Sequence, residues 1–267
     1  MQNSRFLGLI CAILILVLVS SCSKFRQIQK STDWKAKYAA AIAYYEEEEY
    51  YKAGVLLDQV LPIIKGTIDG EKASFLRAYS YYHQGQYILS ASYFRDFTSV
   101  YSRSEYALEA MYLQAHSLYM QSPDFSLDQA STYEAIEGFQ IFLNRHPYSE
   151  YAPKATAMID ELQRKLEHKN FENAKQYYKL ERWEAARVAF ETFEDEFPDS
   201  ALNEEVLYLA IDAEFSYAKA SIRSRQKERF EKTIEIYHRF IDKYPESKFM
   251  NDAESRYDQS LNQLKKL

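Results

Sequence analysis

A motif of three spaced aromatic residues followed by proline and serine recurs along this chain, and its spacing restricts the fold more than any other feature. The clearest copy, F-E-T-F-E-D-E-F-P-D-S, runs from Phe190 to Ser200. Its offsets of three and four residues place the three aromatic side chains on one face of a helix, which the proline then ends. The other copies end at Ser104, Ser149 and Ser247, with a weaker copy at 57–67.

The copies follow one another at intervals of about 40–50 residues, which is typical of helix-pair repeats. Residues 71–101 match the tetratricopeptide pattern best, since Ala78 and Ser90 are small where helices would cross and Gly85 begins the turn. The chain has only six glycines and six prolines in 267 residues, which disfavours β-rich folds. The sequence therefore predicts an all-α solenoid of about five tetratricopeptide-like helix pairs plus a C-terminal capping helix.

Two places depart from the repeat pattern. Repeat four has Glu181 where repeat two has Gly85, so this turn must avoid a positive φ or accept strain. Repeat three carries an insertion, S-P-D-F-S-L-D-Q-A-S-T, from Ser122 to Thr132. This insertion is either a functional loop or a capping loop in which Asp128 starts the next helix.

The N-terminus is predicted to be a lipoprotein signal peptide over residues 1–21. The apolar run Phe6–Val19 is shorter than the roughly 20 residues of a membrane span, and it leads into V-S-S-C, which resembles a bacterial lipobox. Cys22 is then the lipidated residue, and 22–33 form a lipidated tether. The alternatives are a simple signal with an incidental cysteine or an uncleaved anchor.

The remaining chain is predicted to divide into two functional parts. Residues 34–145 hold repeats 1–3 and a substrate groove, and residues 146–267 hold repeats 4–5, the capping helix and a partner-docking surface. The net charge of −6 and the lack of a polybasic tract argue against nucleic acid as a partner.

The sequence contains no recognisable catalytic motif. Its five histidines fall in different repeats without metal-ligand spacing, and no P-loop, H-E-x-x-H or G-x-S-x-G pattern is present. The chain is therefore predicted to be no enzyme and to use no cofactor or metal.

Aromatic side chains instead predict a binding surface. In a tetratricopeptide array the first helix of each pair lines the concave face, and steps of three and four residues form one stripe there. The predicted substrate-binding residues are Tyr38, Tyr45, Phe75, Tyr79, Tyr82, Tyr112 and Tyr119, with Ile42 and His116 beside them. The alternative is that some of these side chains belong to the core, which we expect for about a third of them. A groove of this kind suits an extended peptide with alternating apolar side chains.

One basic stretch stands out in the second half, between the two predicted helices of repeat five. It consists of Lys219, Arg223, Arg225, Lys227 and Arg229. A solvated face is the ordinary explanation for such a run. The sharper alternative is a docking surface for an acidic partner.

The chain as a whole resembles the BamD family of outer-membrane lipoproteins. The resemblance rests on the lipobox, the five repeats and the insertion of repeat three followed by A-I-E-G-F-Q-I-F-L-N-R-H-P-Y-S-E-Y. It implies a lipid-anchored scaffold on the periplasmic face of the outer membrane. It also implies binding of the C-terminal strands of unfolded outer-membrane proteins, and docking to a BamA-like barrel protein and other assembly lipoproteins. The alternative is a generic periplasmic interaction lipoprotein that coordinates cell-wall synthesis or glycan uptake.

Overall fold

The computed structural model describes residues 24–267, and within that range helices are the only regular secondary structure. A short helix covers 24–30. The longer helices are α1 Trp34–Glu46, α2 Tyr50–Ile64, α3 Ile68–His83, α4 Tyr87–Val100, α5 Ala107–Tyr119, α6 Ala130–Arg145, α7 Ala152–Lys179, α8 Trp183–Glu196, α9 Asn203–Ala220, α10 Arg223–Lys243 and α11 Met250–Leu264. The predicted all-α repeat fold is confirmed. None of the helices in this range is long and apolar enough to cross a membrane.

The chain divides into two compact units. Unit 1 comprises the described residues up to Pro123 together with Asp128–Ile159, so it holds α1–α6 and the start of α7. Helices α1 to α6 pack in chain order, each against the next. The core is built largely from the motif phenylalanines Phe94, Phe97, Phe139 and Phe142, which are at most 2% exposed. Burying each such ring contributes about 1.5–3 kcal/mol.

Unit 2 comprises Asp124–Leu127 and Asp160–Leu267, which hold the rest of α7 and α8–α11. Its centre is α9, in which eleven of eighteen residues are buried. Helices α8, α10 and α11 all pack against α9. The boundary between the units lies inside α7, later than the division at 145/146 drawn from the repeats.

The aromatic–proline–serine motif forms the end of one helix pair and the start of the next. In α4, α6, α8 and α10 the N–H of the third motif residue donates to the carbonyl of the second, over 2.8–2.9 Å. The N–H of the motif serine then donates to the carbonyl of the third motif residue, over 3.0–3.2 Å. In the clearest copy Ser200 Oγ also accepts from Leu202 N–H at 3.0 Å, just before α9 begins. The motif therefore both ends a helix and positions the next one.

The turn inside a helix pair has the same backbone geometry in three repeats. Glu48, Gly85 and Glu181 have φ values of 59°, 71° and 55°, so all three are left-handed. In each turn the next N–H donates to a carbonyl five residues back, as Arg182 does to Tyr177 at 3.0 Å. The turn at Glu181 therefore keeps the positive φ and accepts the strain that a side chain brings there.

Helix α10 begins earlier than predicted. The sequence predicts that the basic stretch lies between two helices, but α10 starts at Arg223. This expectation was wrong because R-S-R-Q-K-E consists mostly of good helix formers, and Arg225 pairs with Glu228 one turn later at 3.1 Å. Most of the basic stretch is therefore the first part of α10.

The insertion of repeat three is an ordered loop. Asp128 Oδ1 accepts from Ala130 N–H at 2.9 Å as α6 begins, as the capping alternative requires. Lys169 Nζ on α7 donates to the carbonyls of Phe125 and Leu127, at 3.0 and 2.7 Å. The Phe125 ring also meets His168 edge-on at 4.4 Å between centroids.

Candidate functional site

Helices α1, α3 and α5 contribute half-buried rings to one connected cluster, which we call the aromatic face: Tyr45, Tyr79, Tyr82, His116 and Tyr119. Ring centroids lie 6.4 Å apart for Tyr45 and Tyr79, and 5.9 Å apart for Tyr79 and Tyr82. The His116 ring continues the row at 5.7 Å from Tyr82 and 5.6 Å from Tyr119. Four of the seven predicted substrate-binding residues thus form one row with His116.

The other three predicted residues are placed differently. Phe75 and Tyr112 are only 4% and 7% exposed, and their rings lie 5.6 Å from Tyr79 and His116 respectively. They therefore support the aromatic face from the core of unit 1. Tyr38 is half-buried on α1 and, among the described residues, makes no ring contact with the aromatic face.

A polar link joins repeats two and three within the aromatic face. Tyr82 Oη and His116 Nδ1 are 2.9 Å apart and share one hydrogen bond. Burial raises the pKa of Tyr82 to about 12 and lowers the pKa of His116. Both side chains are therefore neutral near pH 7, and the link adds polarity to the row without adding charge.

Glu109 on α5 lies against the aromatic face, although the sequence analysis did not single it out. Its carboxylate and the Tyr79 hydroxyl each shift the pKa of the other. Burial raises the pKa of Glu109, the Tyr79 hydroxyl lowers it, and the nearby Glu150 raises it further. The available signal was position, because Glu109 lies three residues before Tyr112 on the same helical stripe.

The basic stretch of unit 2 is partly neutralised by the chain itself. Arg225 and Lys227 pair with Glu228 and Glu231 along α10, at 3.1 and 4.0 Å. The Arg229 guanidinium lies 3.6 Å from the centre of the Tyr217 ring and donates to its hydroxyl at 2.7 Å. Arg229 is therefore part of the packing between α9 and α10. The exposed cations of the stretch are Lys219, Arg223, Arg225 and Lys227.

Two further expectations concern the N-terminus and metals. The predicted lipidation site, Cys22, lies outside the described residues. Within residues 24–267, no group of three or more histidine, cysteine or acidic side chains is arranged to hold a metal ion.

Helix pairs with a row of aromatic rings across three repeats define a helical-repeat protein. The family model described as YfiO, outer membrane lipoprotein, matches residues 30–187 and 166–266, which together reach from the first helix pair to the last helix. The chain therefore belongs to this family of outer membrane lipoproteins.

Three relatives agree with this assignment. The outer membrane protein assembly factor BamD of Rickettsia prowazekii is 24% identical over 66% of this chain and 70% of its own length. BamD of Caulobacter vibrioides is 26% identical over 53% of this chain and 47% of its own. A putative BamD of Aquifex aeolicus is 26% identical over 84% of this chain and 74% of its own length. The resemblance to BamD predicted from the sequence is confirmed.

Among solved structures, the chain matches a putative kinesin light chain from Podosopora anserina with nearly identical TPR-like repeats. The two share 13% sequence identity at a TM-score of 0.33, over 77% of this chain and 94% of the other. Because the TM-score is this low, the description of the fold depends on the helix pairs of the chain itself and not on this match.

Proposed function

We propose that this chain is a non-enzymatic assembly factor for β-barrel proteins of the outer membrane. Its family of outer membrane lipoproteins and its relatives named BamD support this role. Lipid on Cys22 would anchor the chain, and the repeats would face the periplasm. The described residues would then meet unfolded outer-membrane proteins before these enter the membrane.

The substrate in this proposal is the C-terminal strand of an unfolded outer-membrane protein. The supporting observation is the aromatic face, because four tyrosines and a histidine in ring contact offer one continuous surface across three repeats. Such strands alternate apolar and polar residues, so one side of the extended chain can pack on the rings. Aromatic pairs contribute about 0.5–1.5 kcal/mol each beyond their buried area. A few such contacts give reversible binding, which a factor that hands its substrate onward requires.

Photocrosslinking tests this substrate site. A photoreactive amino acid at Tyr82 is expected to crosslink to a peptide that carries the C-terminal strand of a barrel protein. The matched control is the same amino acid at Tyr208 in unit 2, a half-buried tyrosine that stacks on Phe249 at 4.6 Å. Equal crosslinking at the two positions, or none at Tyr82, would count against the aromatic face as the substrate site.

Docking to a BamA-like barrel protein, and to other assembly lipoproteins, is assigned in this proposal to unit 2. The exposed cations at the start of α10 support this assignment, because they suit an acidic surface. Replacing Arg223 and Arg225 together by glutamate should reduce co-purification with the barrel protein at an unchanged Tm. The matched control replaces Lys72 and Arg103, two exposed cations of unit 1. Unchanged co-purification of the α10 variant would remove this stretch from the interface.

Depletion of the protein separates the proposed role from the competing one. Loss of barrel proteins from the outer membrane supports an assembly factor. Normal barrel proteins together with misshapen cells or failed glycan uptake would instead support a generic interaction lipoprotein.

A further inference from the structure

We propose that the aromatic face selects extended peptides that carry a lysine or arginine close to an aromatic residue, and that Glu109 recognises the cation. The inference rests on the proposed function, since it specifies which peptides the aromatic face would hold. The ring contacts by themselves explain only the binding of apolar side chains, and this proposal adds a preference for charge.

The first observation is that Glu109 is a half-buried carboxylate with no cationic partner among residues 24–267. Burial raises the pKa of three glutamates among the described residues: Glu109, Glu194 and Glu214. Arg239 lies 3.5 Å from Glu194, and Arg187 lies 3.1 Å from Glu214. No described lysine or arginine lies within the 4.0 Å of a salt bridge from Glu109. A partly desolvated charge without a counter-charge is costly, so a cation from a ligand would be bound favourably there.

The second observation is that the tyrosines around Glu109 face other carboxylates. Burial raises the pKa of Tyr151, and Glu109 and Glu150 then raise it further. Burial also raises the pKa of Tyr45, and Tyr79, Tyr50 and Glu109 then raise it further. No described lysine or arginine affects either pKa. In unit 2, by contrast, Arg256 lowers the pKa of Tyr178 against the effect of burial. The surroundings of the aromatic face are therefore anionic, which is complementary to a cationic peptide.

The third observation is the spacing of the rings. Alternate side chains of an extended peptide lie about 6.7 Å apart on one side. The ring centres of Tyr45 and Tyr82 are 6.4 and 5.9 Å from that of Tyr79, whose side chain neighbours Glu109. A lysine over Tyr79 would reach Glu109 and gain a cation–π contact, while an aromatic residue two positions away would meet Tyr45 or Tyr82.

Three synthetic peptides test this preference. They share one extended sequence and differ at a single position two residues from an aromatic one, which holds lysine, norleucine or glutamate. Fluorescence anisotropy with the full chain in mild detergent should show the lysine peptide binding about tenfold more tightly than the norleucine peptide at low salt. The preference should shrink in 1 M salt, where the Debye length falls to about 3 Å.

Two variants locate the preference. Glu109→Gln should remove the difference in affinity between the lysine peptide and the norleucine peptide. Glu134→Gln, at an exposed glutamate of α6, should keep the tenfold difference. Equal binding of the lysine and norleucine peptides to the wild type, or a preference that survives in Glu109→Gln, overturns the inference and leaves the peptide site intact. Binding of none of the peptides overturns the proposed substrate site along with it.

Discussion

Glu214 on α9 combines deep burial with an incomplete set of partners. Its side chain is 3% exposed, and Arg187 Nε lies 3.1 Å from its Oε2. That oxygen nevertheless accepts no hydrogen bond among the described residues, so the contact is an ion pair without hydrogen-bond geometry. Burial raises the pKa of Glu214 to about 7, against the lowering effects of Arg187, Arg229 and Lys232.

The stability of the protein should therefore depend on the protonation of Glu214. The folded state binds this proton more tightly than the unfolded state, so its contribution to stability is present below about pH 4.5 and is lost as pH rises through about 7. Relative to Glu214→Gln, the wild type should lose up to about 3 kcal/mol of unfolding free energy across that window, at about 1.4 kcal/mol per pKa unit. Urea unfolding of the wild type and of Glu214→Gln at pH 5 and pH 8 measures how their difference in unfolding free energy changes with pH.

The matched control is Glu246→Gln, at an exposed glutamate that follows α10. The difference in unfolding free energy between Glu246→Gln and the wild type should be the same at both pH values. A difference for Glu214→Gln that is also constant with pH would show that Glu214 does not titrate in this window.

At the scale of single elements, two glycines of repeats one and two should respond oppositely to alanine. Gly85 has a φ of 71°, and an added Cβ would meet nothing within 4 Å, so strain in the backbone is the whole cost. Gly54 lies inside α2, and its Cβ would make ordinary contacts from 3.5 Å outward. Gly85→Ala should lower the unfolding free energy by about 1 kcal/mol, and Gly54→Ala should raise it by about 0.5–1 kcal/mol. Thermal and urea unfolding of the two variants measure these changes in unfolding free energy. A Gly85→Ala variant more stable than the wild type would contradict the left-handed turn.

The helix pairs could be predicted because local sequence determines them. The phenylalanine spacing marks each buried face, and Pro147, Pro198 and Pro245 mark where three of the helices stop. The length of α7 was not predicted, because Pro153 is tolerated in its first turn and nothing later breaks it before Lys179. The stripe positions of Tyr45, Tyr79 and Tyr82 followed from the helical period. That Glu109 has no counter-charge among the described residues could not be predicted, because its neighbours come from other helices.

At the scale of the whole molecule, the predicted lipid anchor at Cys22 can be tested by substitution. Cys22→Ala should abolish palmitate labelling and release the protein from the membrane fraction, because in the lipobox interpretation the thiol is the group to which the lipid is attached. Cys11→Ala is the matched control, since Cys11 lies in the predicted signal peptide and should leave labelling intact. Continued labelling of the Cys22 variant would contradict the lipobox interpretation.

The burial of α9 has a consequence for the order in which the chain emerges during synthesis. Eleven of its residues are covered in the folded state, and part of that cover comes from α10 and α11. Tyr208 stacks on Phe249, and Arg256 of α11 pairs with Asp212. These partners leave the ribosome after α9 does. The apolar side of α9 therefore stays partly uncovered until the last helices follow, and apolar surface exposed during that interval favours aggregation.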